Sequence, residues 1–155
     1  MRNRFLALAF LLFLVGTASE AQAQARFGVQ MSIADDADLG VGARVALSPP
    51  GPSPIKILGT FDIFFPDGPV DYWELNGNIV YVVPVQNSAV APYIGGGLNV
   101  AHSSVDGGTF GSSDTDLGLN LLGGIEFGGA LPLFVEARVE VNGGEQFVLT
   151  GGIFF

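Results

Sequence analysis

The chain contains no cysteine, a single histidine and a single tryptophan, and only 14% of its residues are charged. Without cysteine there is no disulfide and no thiolate metal site, and one histidine cannot by itself supply a His-based metal centre. The charge fraction is low for a surface that faces water. Basic residues are the scarcest class: six Lys and Arg stand against 15 Asp and Glu, for a formal net charge of −9. A balance of that sign argues against nucleic-acid binding. A long hydrophobic run is also missing. The longest apolar stretch, Phe5 to Val15, is about eleven residues, whereas a membrane-spanning helix needs roughly twenty.

What is present favours strands and tight turns. Hydrophobic residues make up 48% of the 155 residues, with 23 Gly, nine Pro and 13 Phe, a composition suited to strands and turns within one domain. The N-terminus has its own logic. Met1-Arg-Asn-Arg4 is a positive n-region, Phe5 to Val15 an apolar core, and Ala21-Gln-Ala-Gln-Ala25 a set of small-residue cleavage sites. Residues 1–25 are therefore expected to be a secretory signal peptide, cleaved after Ala23 or Ala25, with residues 26–155 as the mature domain. Removing Arg2, Arg4 and Glu20 from the six basic and 15 acidic residues leaves four basic and 14 acidic.

From Arg26 onward no helical period of any length appears. The chain instead alternates at period two in segments separated by turn signals. Ser48-Pro-Pro-Gly-Pro-Ser-Pro54, Pro66-Asp-Gly-Pro69, Pro84 to Ala89 and Gly128-Gly-Ala-Leu-Pro132 break the pattern, since proline removes ladder donors and glycine opens turns. Asp35 to Asp38 and Asn142 to Glu145 read as further turns, and His102 to Thr115, rich in Ser, Gly and Asp, as the longest loop. The spacing predicts eight strands of roughly ten residues, the length of tilted membrane strands. The expected fold is all-β: an eight-stranded antiparallel up-and-down transmembrane β-barrel.

Volume decides which face points inward. One face of the segments, including Val29, Met31, Ile57, Leu75, Ile79, Leu119 and Val139, holds no charge and is dense in bulky side chains. An eight-stranded barrel has an interior just wide enough to be filled, and this face would overfill it. The opposite face is rich in Gly and Ala and carries every strand charge: Arg44, Lys56, Asp62, Glu74, Glu126, Glu136, Arg138 and Glu140. Those charges are too few to solvate a soluble barrel but suit an internal ion-pair network, where buried charges must be paired. A secreted, lipocalin-like barrel binding a small apolar ligand requires the inverse phase and is the alternative. The expected membrane barrel also groups its aromatics into two belts. Phe27, Tyr81, Tyr93, Phe127 and Phe155 fall near the end that carries the termini, and Phe65, Trp73 and Phe147 near the other.

The runs Pro92-Tyr-Ile-Gly-Gly-Gly-Leu-Asn99, Leu119-Asn-Leu-Leu-Gly-Gly-Ile-Glu126 and Phe134-Val-Glu-Ala-Arg138 resemble small bacterial outer-membrane barrels: the OmpA transmembrane domain, OmpX-like and opacity-type proteins. The resemblance implies an integral protein of a Gram-negative outer membrane, with periplasmic termini and with membrane lipid and lipopolysaccharide as surroundings. It also makes Phe155, preceded by apolar residues at alternate positions, similar to the signal read by the outer-membrane assembly machinery. The loops expected outside are short except for the third, unlike those of adhesin-like members.

Catalytic readings find little support. Gly95-Gly-Gly97 and Gly123-Gly124 lack the Gly-Lys-Ser/Thr and the helix of a phosphate loop. His102 beside Ser103 and Ser104 lacks a nucleophile elbow and an acidic partner. Glu136 and Glu140 flank Arg138, but a filled lumen would keep substrate out. Neither enzyme nor cofactor is expected, and a monomer is. A general porin needs around sixteen strands, although the inward glycines leave room for a narrow channel. Asp35, Asp36, Asp38, Asp114 and Asp116 belong to an acidic rim at the end away from the termini. Hard oxygen ligands of this kind suit Ca²⁺ or Mg²⁺ bridging lipopolysaccharide phosphates, and a solvated rim is the simpler reading. The expected role is structural, or one of surface interaction, in the cell envelope.

Overall fold

The computed structural model describes residues 24–35, 38–86, 88–105, 112–142 and 145–155. The expected signal peptide lies outside the described residues except for Gln24 and Ala25, which begin the first strand. Eight strands follow in order: β1 (Gln24–Ala34), β2 (Asp38–Ser48), β3 (Ile55–Phe64), β4 (Val70–Val82), β5 (Val90–Val105), β6 (Ser112–Phe127), β7 (Leu133–Val141) and β8 (Phe147–Phe154). Each pairs antiparallel with its sequence neighbours, and β8 pairs with β1 from Gly28↔Phe154 to Ala34↔Val148, closing the barrel. Closure removes the free edges that an open sheet would expose. No helix among the described residues is long and apolar enough to cross a membrane.

The alternation sets the register because a slip of one residue would exchange the two faces. Through the middle of the wall, charged and amide side chains such as Arg44, Asp62, Glu74, Asn78, Glu136 and Arg138 point inward and are buried, while large apolar side chains on every strand point outward and are exposed; Ile79 and Leu121 are 61% and 62% exposed. The soluble-barrel alternative requires the reverse. Proline punctuates the near end, where the β2–β3 connection runs from Pro49 to Pro54 and Pro132 precedes β7. At the far end Gly68 turns the chain between β3 and β4 with a φ of +96°, a value that favours glycine.

One segment differs from expectation. Residues His102 to Val105 and Ser112 to Thr115 are strand and not loop, and their pairing continues through His102↔Thr115 to Val105↔Ser112. On the other side β4 reaches back to Val70, opposite Val105. Local composition suggested a loop, but cross-strand pairing on both sides of β5 outweighs the weak strand preference of Ser and Asp. Beyond Leu119↔Val141, the last pair of β6 with β7, these three strands project past the rest of the barrel.

Candidate functional site

The lumen is assembled from even-numbered positions of β1 to β4 and β6 to β8 and odd-numbered positions of β5, all on the inward face. Its charges form three groups stacked along the axis. Near the terminal end Glu126 accepts from Lys56 Nζ at 2.8 and 2.9 Å and from Arg26 at 3.0 Å. The Arg26 guanidinium also lies 4.2 Å from the Phe154 ring centroid, tying the first strand to the last.

The middle group is built around Arg44, which forms a two-pronged pair with Glu136 at 2.7 and 2.9 Å. A fork matched to both carboxylate oxygens is the stronger kind of ion pair. Arg44 also donates to Gln30 Oε1 at 2.8 Å, and its guanidinium lies 4.1 Å from the Phe134 ring centroid. Asp62 is not paired with a cation; both of its oxygens accept from Gln30 Nε2, at 2.7 and 2.9 Å. Gln30 thus links the Asp62 carboxylate to Arg44. Beside this group Asn120 donates to Asn76 and Asn78 at 2.8 and 3.0 Å, and Asn99 donates to Asn76 at 3.1 Å.

The third group is centred on Arg138. Its Nη2 reaches Glu74 at 2.8 Å and its Nε reaches Glu140 at 2.7 Å, with all three side chains buried. Gln146 donates to Glu74 and Glu140, and the Tyr72 hydroxyl donates to Glu74 at 2.8 Å. Because each buried charge has a partner or an amide, the desolvation cost is offset by short-range attraction.

All eight strand charges read from the sequence thus face inward, but they divide into three groups and not one continuous network. The sequence reading omitted Arg26, Gln30, Tyr72 and Gln146, which complete those groups. Their inward parity was the available signal for Gln30, whereas Arg26 stood at the assumed edge of the domain. Two apolar clusters were also missed. Ala46, Leu58, Val80, Tyr93, Leu122, Phe134 and Phe154 pack together toward the terminal end, and Ala34, Phe64 and Val148 pack with Tyr72 toward the far end.

Of the aromatics expected in belts, Phe27, Tyr81, Phe127 and Phe155 are exposed near the terminal end, and Phe65 and Phe147 near the far end. Trp73 faces outward and is half-buried. Tyr93 is a correction. It is buried in the lumen and its hydroxyl donates to Glu136 at 2.8 Å, because it shares the parity of Asn99 on β5.

The acidic residues of the far rim share one end of the barrel but do not converge on a common point. Asp35 accepts from the Phe147 amide at 2.7 Å and Asp114 from the Thr115 amide at 2.9 Å. Asp38 opens β2 and Asp116 pairs across from Ala101; Asp36 lies outside the described residues. Among the described residues no three His, Cys, Asp or Glu converge as metal ligands. The residues therefore give no support to the divalent-cation reading.

No protein-family model and no curated protein matches the chain. Solved structures do. The N-terminal β-barrel domain of Pseudomonas aeruginosa OprF superposes with a TM-score of 0.65 at 11% identity, over 88% of this chain and 100% of that one. Ail, the attachment invasion locus protein of Yersinia pestis, gives 0.60 at 15% identity, over 88% and 97%. Neisserial surface protein A gives 0.57 at 17% identity, over 84% and 91%. All three are small eight-stranded outer-membrane barrels, and at these identities the likeness is one of fold.

Proposed function

We propose that this chain is a non-enzymatic, integral outer-membrane β-barrel with a plugged lumen, whose role is structural or one of surface interaction in the cell envelope. The observation that carries this reading is the division of the two faces. Large apolar side chains are exposed on every strand, while the strand charges through the length of the barrel wall point inward and are held by ion pairs or, at Asp62, by the Gln30 amide. In water such a belt would far exceed the apolar patches that soluble monomers expose. In lipid it is the ordinary outer surface of a barrel. The outward apolar stretch from Trp73 on β4 to Val83, just past its end, covers of the order of 25 Å along the axis at a tilt of about 40°, the height of a lipid-facing band.

The same reading orients the molecule. The near-end connections carry no charge, and the acidic residues outside the wall cluster at the far end. Short uncharged turns suit the periplasmic side and the acidic end the exterior, with lipopolysaccharide and membrane lipid as the surrounding partners. Phe155, whose amide donates to Phe27 O at 2.8 Å, is read as the residue presented to the assembly machinery. A narrow channel is less well supported, because Arg44, Glu136 and Phe134 together cross the lumen. Cell fractionation with gel mobility tests the proposal. The protein should enter the outer-membrane fraction and migrate differently before and after boiling. Recovery as a detergent-free soluble protein would overturn it.

A further inference from the structure

Every basic side chain among the described residues is directed into the barrel. Arg26, Arg44, Lys56 and Arg138 each pair with an inward carboxylate. The outward surface described therefore holds no permanent cation, whereas membrane proteins commonly meet headgroup phosphates with Lys and Arg near the interface. One outward group can become cationic: His102, the only histidine of the chain.

His102 sits in a row of direct cross-strand partners, Trp73↔His102↔Thr115. Its ring lies 5.1 Å from that of Trp73, with the planes 30° apart. Its Nδ1 is 2.7 Å from Thr115 Oγ1, so the second ring nitrogen is the one available to a ligand. The row is also a boundary. The neighbouring outward row toward the barrel middle is Leu75, Val100 and Leu117, and the next row outward is Asp71, Ser104 and Ser113. An imidazole stacked on an indole at the last apolar row belongs at the depth of lipid headgroups.

We propose that the Trp73–His102–Thr115 row is a contact for the phosphate of a lipid headgroup, engaged when His102 is protonated and released when it is neutral. The inference rests on the outer-membrane reading above. On protonation Nδ1–H donates to Thr115 Oγ1, which frees the hydroxyl hydrogen. The phosphate then meets two donors, the imidazolium N–H and the Thr115 O–H, and Trp73 holds the cation from one side. Asp71 is the charged side chain on the same outward face of β4. Phe61 and Ile63 of β3 carry no charge, and Asp114 and Asp116 of β6 have the opposite parity.

Trp73, the only tryptophan, reports on the site directly, since an imidazolium against the indole quenches its emission. The full chain is reconstituted in uncharged galactolipid vesicles and in the same vesicles doped with phosphatidylglycerol. Emission is titrated against pH at about 0.5 M NaCl, where the Debye length is of the order of 4 Å and diffuse surface potential is largely screened. The midpoint of quenching should be about one pH unit higher with phosphatidylglycerol, as expected for a His beside a fixed opposite charge. The difference should survive Asp71→Asn, narrow in Thr115→Val, and vanish with the quenching itself in His102→Gln. Equal midpoints, an absence of quenching, or loss of the difference in Asp71→Asn would each overturn the proposal. Heat-modifiable mobility in both vesicles separates the two readings. A folded barrel with equal midpoints loses only this contact, whereas a chain that never becomes heat-modifiable loses the membrane reading and the contact with it.

Discussion

At the scale of single residues, the interior is held by charges that cannot be removed one at a time. Arg138 is 1% exposed and serves two carboxylates, Glu74 and Glu140. Arg138→Met should destabilise the barrel by about 3–5 kcal/mol, because it leaves buried carboxylates without their cation. Urea unfolding in vesicles, followed by Trp73 emission, would measure it; an unchanged midpoint would contradict the assigned pairing. Glycine has an equally specific role. A Cβ at Gly40 would sit 2.7 Å from the Phe64 ring, whereas one at Gly77 would meet nothing within 4 Å. Gly40→Ala should therefore lower stability by about 1–3 kcal/mol through overpacking, while Gly77→Ala should be neutral or mildly stabilising in the same assay. This packing of inward aromatics over neighbouring glycines was not legible in the sequence. The glycines read as space left in the lumen, and only the cross-strand register assigns Phe64 to Gly40, and Phe134 to Gly152, as their fillers. Tyr93 was misread for a related reason. The Gly95–Gly97 run weakens the register locally, and an aromatic near a strand end was grouped by depth and not by parity.

At the scale of elements, β5 and β6 carry the account from lipid to water along one hairpin. Leu98 is exposed in the middle of the outward face, and Ser104 lies on the same face beyond the Trp73–His102–Thr115 row. Arginine at Leu98 should cost about 2–4 kcal/mol and arginine at Ser104 roughly 0–1 kcal/mol, following the depth dependence of charge on a lipid-facing strand. Equal costs at the two positions, measured by reversible unfolding in vesicles, would mean that the apolar row is not a membrane boundary. The extension itself was not legible in the sequence, since Ser103, Ser104, Ser112, Ser113 and Asp114 have poor strand preference and become strand only because β4 and β6 pair on either side of Ser103 and Ser104, and β5 pairs with Ser112 to Asp114. The remaining ladders were legible. Segments such as Ile55–Phe64 and Leu133–Val141 keep one face free of charge and place Lys56, Asp62, Glu136, Arg138 and Glu140 on the other, between clear turn signals.

At the scale of the whole molecule, two asymmetries define the protein. Across the wall, apolar side chains face out and paired charges face in. Along the axis, uncharged turns lie at one end and carboxylates gather at the other. The first asymmetry was readable because period-two alternation combines with a volume limit that only one phase satisfies. The division of the lumen into three charged groups interleaved with two apolar clusters was not, since it depends on which strands become neighbours when β8 closes on β1. The absence of cysteine makes the central claim, that the outward face lies in lipid, directly measurable. Single cysteines at Leu98, Val100, His102 and Ser104, each carrying a nitroxide label, would sample one face of β5 in reconstituted vesicles. Labels at Leu98 and Val100 should be accessible to oxygen dissolved in lipid and shielded from a water-soluble nickel reagent, with the preference reversing at His102 and Ser104. Free access of the nickel reagent to Leu98 and Val100 would contradict the membrane assignment.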